Sequence, residues 1–197
     1  MLYPFVIFVV MCTWGVLHSW LAAFSTKQFA RRIFGEKIDR YYRLIFISMA
    51  ILTLIPILAM VAFLPSRLLW VIPTPWRYLT LSIQFLAVVG ALVTVFQTDL
   101  LAFAGIRQLR DPNAERKNAL IRGGIYGIVR HPMYLFSLIL FWLFPFVTDL
   151  ILAFFTASTL YFVIGTIPEE KKLIKIYGEE YKRYQEEVPR VIPGVKL

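Results

Sequence analysis

Two polar sites interrupt the apolar second half of the chain: Arg130-His131-Pro132-Met133-Tyr134, and Glu169-Glu170 directly after Pro168. Proline suits the first turn of a helix, where its missing N–H costs nothing. His131 is therefore expected to cap a helix beginning at Pro132, with Met133 and Tyr134 the first residues with free amides. Free amides and the positive end of the helix dipole favour a carboxylate or phosphate there, with Arg130 beside it. Glu169 and Glu170 close an apolar run, where a carboxylate is costly unless paired or hydrated, and such acids are functional candidates by default. Each residue also has a plain structural role open to it. Arg130 can reach headgroups, His131 can merely cap, and the glutamates can open a following helix whose dipole favours them.

If the two sites meet, they supply an acid for an ammonium group, a helix N-terminus for a carboxylate, and the rings of Tyr126, Tyr134 and Tyr177 for an adenine or a sulfonium. Those are the parts of S-adenosylmethionine, and a zwitterionic lipid headgroup would suit the same set. A nucleophile that needs deprotonation would need an acceptor nearby, for which Asp99 and His131 are the candidates, though both residue types at such positions are more often structural. His18, next to Ser19 and Trp20, could line a substrate cavity, interhelical hydrogen bonding being its commoner role. Metal chemistry has little to build on, with two His and a single Cys (Cys12) in the chain.

The elements that must position these groups follow from composition. Of 197 residues, 59% are hydrophobic and 17% charged. Ordinary soluble domains are about 45–50% apolar and about 25% charged, so a soluble enzyme is excluded, and one Cys excludes an intramolecular disulfide scaffold. Charge-free runs extend over Met1–Thr26, Leu44–Leu64, Tyr78–Thr98, Pro132–Thr148 and Leu150–Pro168. A bilayer core takes about 20 helical residues, range about 17 to 25. The expected fold is all-α: five transmembrane helices, the last two a hairpin, plus a C-terminal cytoplasmic amphipathic helix whose apolar face is Leu173, Tyr177, Tyr181, Tyr184 and Val188. Residues 1–98 form a three-helix membrane region and 99–197 a cofactor-binding region, within one integrated domain. The first run lacks a basic leader and precedes a strongly basic segment, so it reads as a retained helix.

Of 21 Lys and Arg, all but Arg67 and Arg77 fall after the first run, after the third, or in the tail. That is the positive-inside pattern for five spans with the N-terminus outside and the C-terminus cytoplasmic. The net charge of +9 is thereby assigned to topology and anionic headgroups, and no nucleic-acid partner is needed. Proline and tryptophan between the second and third runs (Pro65, Pro73, Pro75, Trp70, Trp76) read as an architectural turn at headgroup depth. Because the last two runs are joined so briefly, Glu169 should return to the surface of His131 and face it across a closed cavity.

Three segments carry a family resemblance: Leu120-Ile121-Arg122-Gly123-Gly124-Ile125-Tyr126, then Arg130-His131-Pro132-Met133-Tyr134, then Glu169-Glu170 with Tyr177-Gly178-Glu179-Glu180-Tyr181. Together they resemble the isoprenylcysteine carboxyl methyltransferase and phospholipid methyltransferase superfamily of integral membrane enzymes. Leu17-His18-Ser19, Asp99-Leu100 and Gly105-Ile106-Arg107-Gln108 are similar to the methanethiol S-methyltransferase and NnrU-type subgroup. The resemblance implies an S-adenosylmethionine-dependent methyltransferase of a prokaryotic membrane, giving S-adenosylhomocysteine as product. It puts Asn118, Ala119, Leu120, Ile121, Tyr126, His131, Pro132, Tyr134 and Glu169 at the cofactor, with Glu170 as immediate neighbour; the residues themselves add Met133 to the cofactor set and offer Arg130, His131 and Asp99 as candidates for the chemistry. The prenylcysteine enzyme has a substrate-contacting Arg four residues before the cofactor Glu, and this chain has Gly165. The acceptor implied is therefore a small thiol or a lipid amine rather than a prenylcysteine carboxylate. A sterol-reductase-type NADPH enzyme and a non-enzymatic small membrane subunit are the competing classes.

Overall fold

In the computed structural model of the chain, residues 2–111 and 119–195 are described. Within hydrocarbon a backbone must satisfy its own N–H and C=O groups, which drives the apolar runs into helices. In chain order the described elements are α1 (Leu2–Ala22), α2 (Phe24–Phe34), α3 (Ile38–Phe63), β1 (Leu68–Val71), α4 (Trp76–Gln97), α5 (Leu100–Phe103), α6 (Pro132–Trp142), β2 (Phe146–Thr148), α7 (Asp149–Tyr177) and α8 (Glu179–Glu187). Single 3-10 turns occur at Arg107–Leu109 and Gly124–Gly127.

Four of these helices, α1, α3, α4 and α7, are long and apolar enough to cross a bilayer. A fifth helix of that length is not among the described elements. The fourth run yields only α6, whose 11 residues rise about 16 Å against a hydrocarbon core of about 30 Å. Pro145 is the physical reason. It cannot continue a helix and pushes its predecessor toward extended backbone, so the rest of the run becomes β2. That strand pairs antiparallel with β1, Leu68 opposite Thr148 and Val71 opposite Phe146. The pairing is sealed by Asp149, whose Oδ1 accepts from Arg67 N at 3.0 Å while its own N–H donates to Arg67 O at 3.0 Å. The proline-rich turn between α3 and α4 is thus one half of a small sheet, which charge-free runs could not reveal.

This sheet fixes one end of the bundle, and the helices run from it in alternating directions. α4 and α6 are antiparallel: Gln84 Nε2 donates to Leu140 O at 2.8 Å, and Phe136 lies against Gly90. A Cβ at Gly90 would stand 2.4 Å from the Phe136 ring, so a bare backbone is what lets the two helices approach. α1 and α7 run parallel. Ile7 and Met11 pack with Leu150, Phe154 and Phe155 toward the sheet end, and His18 meets Tyr161 further along. The outward sides carry Leu52, Phe63, Phe85, Leu86 and Phe96, each more than 60% exposed, which is the disposition lipid tails would cover.

The opposite end of the bundle gathers the basic segments, with ion pairs Arg31–Glu36, Arg31–Asp39 and Arg107–Asp99. The α6–α7 hairpin appears as expected, with Trp142 Nε1 donating to Thr159 Oγ1 at 3.0 Å and Tyr134 stacked on Phe162. Pro168 does not end the last run, however: α7 passes through it to Tyr177, and the break falls at Gly178. Strong helix formers follow the proline, and Leu173, Ile174 and Tyr177 gain a partner surface in Tyr181, Tyr184 and Val188. The expected apolar face is therefore real but is shared between two helices.

Candidate functional site

The backbone of Arg130 and His131 is fastened before any side chain acts. Their amides donate to Pro189 O and Arg190 O, both at 2.9 Å, so the segment after α8 lies along the entry to α6. His131 stands at the cap position and Pro132 at the first turn, as expected, but the His131 side chain does not cap. Its carbonyl accepts from Tyr134 N at 3.1 Å. The amide of Tyr134 is thus already taken, and of the two expected free amides only Met133's is left for an anion.

Arg130 is turned inward, neither toward headgroups nor toward an open anion site. Its side chain and that of Glu170 are 4% and 5% exposed, and Nε donates to Glu170 Oε1 at 2.7 Å. Nη1 donates to Gln185 O at 2.9 Å and also to Val188 O. Glu170 further accepts from Gln185 Nε2 at 2.9 Å, with His131 Nε2 at 3.3 Å and Arg190 Nε at 3.3 Å around it. A buried carboxylate is tolerable only when paired and hydrogen-bonded in this way. Glu170 is a clasp joining α6, α7, α8 and the tail. Its oxygens are occupied by partners from the protein.

Glu169, one residue earlier on α7, has a different environment. Its side chain is 44% exposed, Oε2 accepts from Tyr134 Oη at 2.9 Å, and His131 Nδ1 stands 3.6 Å away. Tyr134 is itself held between two rings, with His131 at 5.4 Å and Phe162 at 4.9 Å, both stacked. Glu169, Tyr134 and the start of α6 thus form an outward-facing edge on a locked base. Arg130, His131 and Glu170 meet in direct contact.

The approach to this edge is shaped by Gly123-Gly124. Gly124 has φ +61° and its Cβ position would coincide with Gln97 Nε2, so the left-handed conformation and the close approach both demand glycine. Gln97 Oε1 in turn accepts from Ile125 N at 3.3 Å. Tyr126 follows, and its carbonyl accepts from Tyr184 Oη at 2.6 Å. Burial pushes the phenols of Tyr126 and Tyr184 up to about 12, so both remain neutral donors at ordinary pH.

The remaining expected residues divide. Leu120 packs on the Tyr181, Tyr184 and Val188 cluster, Pro132 is fully buried, Ala119 is exposed and Met133 half-buried, and Ile121 is 36% exposed. Asn118 lies outside the described residues. Asp99 caps α5 through Ala102 N at 3.0 Å and pairs with Arg107 Nη1 at 2.5 Å. Sequence reasoning missed Gln185 and Arg190 as partners of Glu170. The one cue was an amide and a guanidinium flanking the Val188-Pro189 stop of the last helix. Among the described residues no cluster of three or more His, Cys, Asp and Glu side chains is arranged for a metal.

Comparison with known proteins bears on this geometry. The pattern of the phospholipid methyltransferase family matches residues 80–180, from α4 through the Glu169 edge to the start of α8. Methanethiol S-methyltransferase of Pseudomonas deceptionensis is 46% identical over 72 residues, covering 36% of this chain and 28% of that protein. Its namesake from another Pseudomonas species is 34% identical over 128 residues, 63% of this chain and 49% of the relative. Methanethiol S-methyltransferase 1 of Bradyrhizobium diazoefficiens is 27% identical over 193 residues, 94% of this chain and 65% of the relative. The chain thus spans from about a quarter to just under two thirds of the length of these relatives. No significant match to a solved structure is found. Because the family pattern spans half of the sequence and takes in both Arg130 and Glu170, the chain belongs to the phospholipid methyltransferase family.

Proposed function

We propose that this chain is an integral membrane methyltransferase that takes a methyl group from S-adenosylmethionine and passes it to a small thiol at the basic end of the bundle. The basic end is assigned to the cytoplasmic side of a prokaryotic membrane, with the N-terminus outside, on the charge distribution alone. The observation that carries the reading is the contrast within one carboxylate pair: Glu170 is consumed by the clasp, while Glu169 presents a half-exposed carboxylate beside an aromatic ring. The donor set fits the group. A carboxylate suits its ammonium, the Met133 amide at the start of α6 suits its carboxylate, and Tyr126 offers a ring face for a sulfonium or adenine. When bound, S-adenosylmethionine supplies a methyl group on a positively charged sulfur.

The chain's own residues would do the rest by positioning and water exclusion. Glu169 holds the ammonium, and Tyr134 fixes that carboxylate through its hydroxyl while the flanking rings of His131 and Phe162 keep it from rotating. Arg130, Glu170 and Gln185 keep α6, α7 and α8 in register beneath the edge, so their part is positioning rather than contact with reactants. The apolar sides of α6 and α7 would remove water from the charged sulfonium and its attacker, which strengthens the electrostatics between them. Ala119 to Ile121 would border the nucleoside.

A thiol is favoured by the names of the relatives, each a methanethiol S-methyltransferase. A phospholipid amine is the second reading, favoured by the family's name. Membranes containing the protein, incubated with methyl-labelled S-adenosylmethionine and methanethiol, should release the label as volatile thioether. Label in extractable lipid would establish the amine reading instead, and no transfer to either would remove the proposal.

A further inference from the structure

A second polar cluster lies deeper in the bundle than Glu169 and has no part in the clasp. His18 on α1 meets Tyr161 on α7, Nδ1 to Oη at 2.7 Å. The imidazole is stacked on Trp14 at 4.8 Å and lies 4.8 Å from Phe46 of α3. Trp14 is anchored in turn, its Nε1 donating to Thr53 Oγ1 at 2.9 Å, and it lines an apolar hollow between α1 and α3 of about 300 Å³ with Val10, Leu17, Ile57 and Met60. Gly15 fixes the approach, since a Cβ there would stand 2.7 Å from the Tyr161 ring. Tyr161, Gly165 and Glu169 follow at intervals of four along α7 and so share one face. The titratable groups facing His18 are Tyr161 from α7 and Arg43 from α3.

Resting on the methyltransferase reading above, we propose that His18, held by Tyr161, is the proton acceptor for the thiol substrate, which enters from the lipid side between α1 and α3. In the tautomer that donates from Nδ1 to the Tyr161 oxygen, Nε2 carries a lone pair. The acceptor's S–H proton moves to Nε2 as a sulfur electron pair forms the new S–CH3 bond. The bond from that methyl to the sulfonium sulfur breaks with its pair staying on the departing sulfur, leaving two neutral thioethers. The imidazolium then returns its proton to water. A carboxylate acceptor would need no such group, so the pair marks the substrate as one that arrives protonated.

The test uses full-length protein in detergent with an alkanethiol and a thiophenol, the second already ionised at neutral pH. His18→Gln should lower methylation of the alkanethiol on the order of 100-fold, spare most of the thiophenol rate, and leave S-adenosylhomocysteine affinity unchanged. Independently of turnover, nitrogen-15 NMR should find His18 protonated on Nδ1, with the proton moving to Nε2 in Tyr161→Phe. The chain has two histidines, so His18→Gln assigns the signal. Equal losses with both thiols, or a wild-type proton on Nε2, would overturn the assignment while cofactor binding stands. Wild-type protein that fails to bind S-adenosylhomocysteine would overturn the methyltransferase reading itself.

Discussion

Glu169 and Glu170 are neighbours in sequence with opposite circumstances, and substitution should separate them. Glu170→Gln leaves the buried Arg130 guanidinium without its counter-charge, a loss of about 3–5 kcal/mol; its thermal midpoint in detergent should fall well below wild type. Glu169→Gln removes one half-exposed carboxylate and should leave the midpoint nearly unchanged. A reversed order would mean that the clasp is centred on the wrong acid. Both residues were legible as candidates, because acids at the end of an apolar run demand an explanation. Which of them was locked was not legible, because the lock is built by Gln185 and Arg190, contributed by a segment that has to fold back first. Gly165 gives a second prediction. Its Cβ would meet nothing nearer than Tyr161 at 3.9 Å, so packing tolerates Gly165→Ala, which should gain stability of about 1 kcal/mol from helix propensity. The added methyl stands between Tyr161 and Glu169, so transfer should fall even as the midpoint rises; unchanged transfer would place the acceptor elsewhere.

The elements α7, α8 and the tail work as one unit around Tyr184. Its phenol, kept protonated by burial up to about 12, donates to Tyr126 O. A folded value above the unfolded value of about 10 means that the stabilisation is complete below pH ~10 and is lost as pH rises through ~12. Unfolding followed by fluorescence should therefore show an alkaline loss across that window, with a smaller amplitude in Tyr184→Phe; an identical loss in the variant would remove Tyr184 from the account. At this scale the sequence conveyed the helical hairpin and the Leu173 to Val188 face through periodicity. It misplaced two boundaries. Absence of charge was read as helix through Pro145, where the chain instead extends to pair with β1, and Pro168 was read as a stop although α7 continues through it. Strand pairing is non-local, and neither Leu68–Val71 nor Phe146–Thr148 is long enough to announce itself alone.

For the molecule as a whole, the sheet and the clasp lie at opposite ends of the helices, so the basic segments, α8 and the Glu169 edge share one side. Single cysteines placed at positions 66 and 193 in a Cys12→Ser background should label from opposite faces of intact cells or vesicles, position 193 from the cytoplasmic face. Labelling from the same face would contradict the arrangement. The gathering of the basic segments at one end was legible in the placement of Lys and Arg along the chain. Four helices are long and apolar enough to cross a bilayer, and the shorter α6 leads into the strand that pairs with β1. The central claim concerns the half-exposed acid at the clasp's edge, and calorimetric titration of S-adenosylhomocysteine into purified protein tests it most directly. Saturable binding by wild type, preserved thermal stability in Glu169→Gln and at least a 100-fold weaker affinity in that variant are the results predicted. Wild-type affinity in a folded Glu169→Gln protein, or no binding by the wild type, would contradict it.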